Sequence, residues 1–246
     1  MIVNKIKATT LGAIVGGAVC VGAVAPAAAA TYDLKISTIT AVFQNSVPTN
    51  GVTLSGPGST ATAYWGTPAT GSPGQSGYEF EAEATPIEVN ADGSEFDLGI
   101  FRHINNPIYA PSLESIDLKL TFNTVQFGDF DTVYSFSHNE TPNQKPCPGN
   151  NVSICDDIVT VTTNPAFSDQ VTIGNETFYL AITGFQVGNN TFTDWLTREE
   201  ATNEATLRAT LTSELNTVPL PAAAWFMLTA IGGLFGSRWL KKGQSA

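Results

Sequence analysis

The sequence predicts an all-β fold, a single β-sandwich of jelly-roll type, and three observations predict it. Apolar and polar residues alternate through most of the chain between Thr31 and Thr217, the period-two pattern of strands with one buried face. The alternating runs are short and separated by turns rich in Gly, Pro, Asn and Ser, the punctuation expected of antiparallel strands. Helical periodicity is almost missing from the same stretch. Two packed antiparallel sheets accommodate about nine such strands, and a β-barrel is the alternative closure.

The first thirty residues stand apart. Met1-Ile-Val-Asn-Lys5-Ile-Lys7 is a short basic region, Ala8 to Val24 is uncharged, and Pro26-Ala27-Ala28-Ala29-Ala30 ends the segment in small residues. That is the layout of a secretory signal peptide over residues 1–30, with cleavage expected after Ala30. A lipoprotein signal at Cys20 is rejected because Val19 stands where a small residue is required. An exported β-domain over residues 31–217 follows.

Within it, strands are expected at Tyr32 to Val42, Ser59 to Trp65, Tyr78 to Ala84 and Phe96 to Phe101. Others are expected at Ile116 to Phe122, Val133 to Ser137, Ile158 to Thr162, Thr177 to Thr183 and Ala205 to Leu211. Tyr78, Phe80, Ala82 and Ala84 alternate with Glu79, Glu81 and Glu83, and Ile116, Leu118, Leu120 and Phe122 alternate with Asp117, Lys119, Thr121 and Asn123. Such strands bury one face and wet the other. Val171-Thr-Ile173-Gly174-Asn175 leading into Phe178 reads as a hairpin turned by Gly-Asn. Residues 66–77 and 139–151 read as loops.

Charge narrows the function. Setting aside Lys5, Lys7, Arg238, Lys241 and Lys242 leaves six basic residues against all 22 acidic ones, a formal −16 for the domain. A surface so acidic repels phosphate backbones and excludes nucleic acid as a partner. Once the signal is removed, Cys147 and Cys155 are the remaining thiols. In an exported protein they read as a disulfide closing a small loop.

The C-terminal residues 218–246 form a third region. Val218 to Ser237 carries no charge, and Arg238, Lys241 and Lys242 follow. Pro219 and Pro221 belong at the start of any helix, which leaves about twenty residues, just enough to cross a hydrocarbon core. Basic residues at both ends stay on the cytoplasmic side, so the domain between them is placed outside. The run Val218-Pro219-Leu220-Pro221, an apolar helix and the basic end resemble the VPLPA variant of the PEP-CTERM sorting signal. The resemblance implies an exosortase as processing partner. A plain single-span membrane anchor is the alternative.

The domain carries a second resemblance. Trp65-Gly66-Thr-Pro, Gly74-Gln-Ser-Gly77-Tyr78, the run Leu98 to Ile108 containing Arg102-His103-Ile104-Asn105, and the His138-Asn-Glu-Thr-Pro-Asn143 run resemble the THxN family of PEP-CTERM proteins, which overlaps the choice-of-anchor K domain. Arg102 stands where the family motif has threonine. The resemblance implies an envelope protein and brings no activity with it.

Candidate chemistry is sparse. His103 and His138 are the only imidazoles. His103 reads as a side chain bonded within a strand-end turn; His138 opens the loop with Asn139 and Glu140, and a ligand pair of His138 with His103 falls short of the three or four convergent groups that zinc needs, a convergence the sequence does not show. Glu79, Glu81 and Glu83 repeat at roughly 6.6 Å along a strand, a spacing glycosidase carboxylates also use, but a row of glutamates more often solvates a strand face. Asn90, Asp92, Ser94, Glu95 and Asp97 are oxygen donors of the kind calcium accepts, out of EF-hand order, and calcium is the one cofactor raised. Tyr64, Trp65, Tyr78 and Trp195 read as core or as a sugar-stacking platform. The expectation is a non-enzymatic envelope or matrix protein, structural or binding, with exopolysaccharide as candidate partner. The alternative is a secreted hydrolase with a carboxylate pair beside Trp65 or Trp195.

Overall fold

The computed structural model describes residues 33–126, 128–142, 155–162, 169–173 and 176–212, and every regular element among them is a strand. In chain order these are β1 (Asp33–Val47), β2 (Val52–Ser55), β3 (Thr60–Trp65), β4 (Thr67–Pro68), β5 (Ser76–Ala82), β6 (Ile87–Asn90), β7 (Asp92–Asn105) and β8 (Ile108–Tyr109). There follow β9 (Ser115–Thr124), β10 (Gly128–Asn139), β11 (Asp157–Val161), β12 (Asp169–Ile173), β13 (Glu176–Val187), β14 (Asn190–Phe192), β15 (Asp194–Thr197) and β16 (Ala201–Thr212). One sheet runs β15-β11-β10-β9-β1-β6, and the other runs β12-β13-β16-β7-β5-β3-β2, with β14 added beside β13. β4 and β8 form a two-stranded ribbon.

Alternation builds these sheets. On β9, Ile116, Leu118, Leu120 and Phe122 are buried, and on β10 the same face carries Thr132, Tyr134, Phe136 and His138. On β16 it carries Ala205, Leu207, Ala209 and Leu211. The two inner faces share one core. Phe43 of β1 lies 6.2 Å from Phe101 of β7 in an edge-on contact, Phe101 stacks on Phe136 at 5.0 Å, and Phe185 of β13 meets Trp195 of β15 at 5.2 Å. Each fully buried phenylalanine contributes about 1.5–3 kcal/mol by leaving water. Gly99 lies where β7 presses on β5: a Cβ there would meet the Glu81 carbonyl oxygen at 2.3 Å.

The expected strands are all present; most run longer, while β3 starts one residue later and β5 and β11 are displaced by one or two residues toward the N-terminus. β7 continues past Phe101 to Asn105 because β5 and β16 keep pairing with it, as Gly77↔Ile104 and Ala201↔Asn105. The expected hairpin is flanked by Ile173↔Glu176, with its Gly174-Asn175 turn outside the described residues. The strands that periodicity did not reveal, β2, β4, β6, β8, β14 and β15, are two to four residues each, too short for alternation to be distinguished from a turn. The expected signal peptide, Cys147, the residues Val218, Pro219, Leu220, Pro221, Arg238, Lys241 and Lys242, and the expected C-terminal helix lie outside the described residues.

Candidate functional site

The two sheets converge on a polar cluster inside the shared core. β7 supplies His103, which is opposite Tyr78 of β5 in register. From the other sheet, β10 brings His138 with Glu140 just beyond it, and β11 opens on Asp157, which is opposite Thr197 of β15. His103, Asp157, Thr197, Tyr78 and Trp65 are each fully buried, and His138 is 7% exposed.

Hydrogen bonds fix the imidazoles. Tyr78 Oη lies 2.6 Å from His138 Nδ1, and His138 Nε2 lies 3.3 Å from Glu140 Oε2 and 3.8 Å from Asp157 Oδ2. His103 Nδ1 lies 2.8 Å from Thr197 Oγ1, whose hydroxyl donates to the Asp157 carbonyl oxygen at 3.2 Å. A hydroxyl has one proton to give, so Thr197 accepts from His103 and Nδ1 carries the hydrogen. His103 Nε2 therefore presents a bare lone pair, and it has no hydrogen-bond partner among the described residues. Asp157 Oδ1 accepts from the Thr141 backbone N–H at 2.8 Å, whereas Oδ2 has no such partner. Asn105 Nδ2 donates to the Thr197 carbonyl at 3.2 Å, a second tie between the sheets. Trp65 stacks on His103 at 5.9 Å and stands edge-on to His138 at 5.2 Å.

Burial sets the protonation states. It pushes His103 well below the ordinary histidine range, with the nearby His138 adding to the effect. His138 is pushed down to about 4 by burial, against the pull of Asp157. Burial, then the Glu140 charge, raises Asp157 to about 7, against the Thr141 N–H and His138. Glu140 is raised to about 7 by burial, with the Trp65 indole opposing. Burial, then the charges of Asp157 and Glu140, hold the Tyr78 phenol well above its usual value. Neutral imidazoles thus face two carboxyls that part with their protons near neutral pH.

The remaining sequence candidates are placed elsewhere. Arg102 follows the strand period to the opposite face from His103 and bonds Glu79 at 2.7 Å, Glu81 at 2.8 Å and Glu204 at 2.9 Å. Two of the three glutamates in the expected row are therefore held by a guanidinium. His103 bonds across to β15, not within a strand-end turn. In the expected calcium segment, Asp92 Oδ1 accepts from the Ser94 N–H, and Glu95 and Asp97 reach Arg208 at 3.3 and 2.9 Å. Trp65, Tyr78 and Trp195 are core. Cys155 is buried.

Asp157 and Thr197 were not singled out from the sequence. The signal was available: Asp157, Val159 and Val161 share a parity in an alternating run, so the acid had to point inward with the valines. No protein-family model matches the chain, and no curated protein matches it.

Proposed function

We propose that the chain is an exported, non-enzymatic component of the cell envelope or extracellular matrix, with a structural or binding role toward exopolysaccharide, sorted through its C-terminus by an exosortase. The observation that carries the non-enzymatic part is the burial of both histidines together with Asp157. A hydrolase needs its acid and base open to a substrate. Glu140 and Asp157 do come together beside Trp65, as a glycosidase reading requires, but Asp157 is fully buried among the described residues. The two inner faces that share this core support a β-sandwich, and pairings between strands distant in sequence, β1 with β9 and β7 with β16, support a jelly-roll-like course. Export rests on the basic and apolar start of the chain, and sorting on the resemblance of Val218-Pro-Leu-Pro221 and the basic tail.

Fractionation of the native host with an antibody to the domain tests this reading. Strains with and without the sorting protease should differ in the size and location of the protein. An unchanged size and location would leave a plain membrane anchor.

A further inference from the structure

We infer that His103, His138 and Asp157, with Glu140 as fourth ligand, form a closed structural site for one zinc ion that ties the two sheets together. One ligand atom from each of His103, His138 and Asp157 lies within 4.8 Å of the others, and all three residues are buried. Zinc takes bonds of about 2.0–2.2 Å to imidazole nitrogen and carboxylate oxygen in a tetrahedron, whose edges are then roughly 3.3–3.6 Å. The 3.3 Å from His138 Nε2 to Glu140 Oε2 and the 3.8 Å to Asp157 Oδ2 are close to such edges. The widest separation closes by about an ångström when an ion draws the ligands in.

Two independent features aim at a ligand. His103 Nε2 is a lone pair that Thr197 has stripped of any alternative proton position, and Asp157 Oδ2 is a buried oxygen with no hydrogen-bond donor. A buried polar atom without a partner costs roughly 1–3 kcal/mol, and two of them facing one centre mark a place where something binds. The donors select the class. Two nitrogens exclude calcium and magnesium, which take oxygen. The mixed nitrogen and carboxylate set in an enclosed site suits zinc. Two carboxylates balance the ion's charge, so a neutral unit is buried.

The surroundings are those of a metal centre. Histidine ligands of metals donate their second ring N–H to a protein acceptor, which fixes the tautomer. Thr197 Oγ1 plays that part for His103, and Tyr78 Oη stands at the equivalent nitrogen of His138. Trp65 packs on both rings and keeps water from the ligands. All four ligands stay with the chain, so the site is closed and its purpose is to hold structure. The ligands come from β7 on one sheet and from β10, β11 and the residue just beyond β10 on the other, so an ion at their centre crosslinks the layers.

The test uses the full chain without a polyhistidine tag, stripped with a strong chelator, dialysed, and titrated with Zn2+ alone. One zinc per chain, a raised melting temperature, no shift with Ca2+, and the intense visible absorption of tetrahedral Co2+ on substitution are expected. Thr197→Val, which removes the acceptor for the His103 Nδ1–H and the donor to the Asp157 backbone carbonyl but no ligand atom, should weaken zinc binding by about 10–100-fold. Asp157→Asn should weaken it further while the far-ultraviolet spectrum keeps its β form. The wild-type titration decides the matter even where a variant fails to fold. A folded wild-type chain that takes up no zinc would overturn the inference and assign the centre to buried water. Zinc held equally well by folded Asp157→Asn would also overturn it, since the acidic surface would then be the binder. Neither outcome bears on export or sorting.

Discussion

Tyr78 Oη and His138 Nδ1 lie 2.6 Å apart and join the two sheets from the inside. Tyr78 belongs to β5 and His138 to β10, strands that share no ladder hydrogen bonds. The phenol, held protonated by burial, donates to Nδ1 when His138 carries its hydrogen on Nε2, toward Glu140 and Asp157, and accepts from Nδ1 when a metal takes Nε2. Replacing Tyr78 with Phe leaves a buried ring nitrogen without a partner. A loss of about 1–3 kcal/mol is expected in urea unfolding, with the strand content of the folded state unchanged.

Arg102 ties β5, β7 and β16 together on the face opposite His103. Its side chain collects Glu79, Glu81 and Glu204 on the outer face. Arg102→Thr should cost about 1 kcal/mol in low salt, because partly exposed ion pairs are weak singly and gain from sharing one guanidinium. The difference between variant and wild type should shrink as salt is raised from 50 mM to about 1 M, since salt screens the repulsion among the freed carboxylates. Equal stability loss at both salt concentrations would show that packing of the arginine stem matters instead.

The metal-free cluster has a pH signature in which two trends oppose. Asp157 and Glu140, both raised to about 7, keep protons in the folded chain that the unfolded chain has lost, so their contribution to stability falls as pH rises from about 4 to 7. His103 is pushed well down and His138 to about 4, so their contribution is present above about 6.5 and is lost progressively on acidification below it. Two groups of each kind nearly cancel between about pH 4.5 and 6.5. Glu140→Gln should expose the histidines and make stability fall by about 1.4 kcal/mol for each pH unit of acidification in that window. His138→Gln should reverse the sign. Chelator-treated chains unfolded in urea at several pH values give both slopes.

Cys155 is buried, and it stands two residues before Asp157. The expected bridge to Cys147 would hold the entry to β11 where Asp157 begins. Peptide mapping under non-reducing conditions should recover the two cysteines as one linked species. Reduction should lower stability by about 2–3 kcal/mol, the loop-closure entropy of a short crosslinked segment.

Much of the fold was legible because alternation is a local signal. Phe122 with Leu120, and Phe136 with Tyr134, declare their buried face within a few residues. β15 did not, because Asp194-Trp-Leu-Thr197 offers only two inward positions. The site was legible in its parts and not in its convergence. His103 and Asn105 share a parity on β7, and His138 shares one with Phe136, so each could be placed on an inner face. That those faces belong to opposing sheets, and that Asp157 completes the set, depends on strand order, which pairs β10 with β11 and β7 with β5 and β16. Pairings of that kind leave no trace in local periodicity. Arg102 shows the converse: adjacent to His103 in sequence, it faces the other way and belongs to a separate network.

Closure of the two sheets around a metal ion is tested most directly by anomalous diffraction at the zinc edge from crystals of the zinc-loaded chain. A single anomalous peak about 2.0–2.2 Å from His103 Nε2, His138 Nε2 and Asp157 is the predicted result. Density of water size at that point, with zinc found only among surface carboxylates, would contradict it.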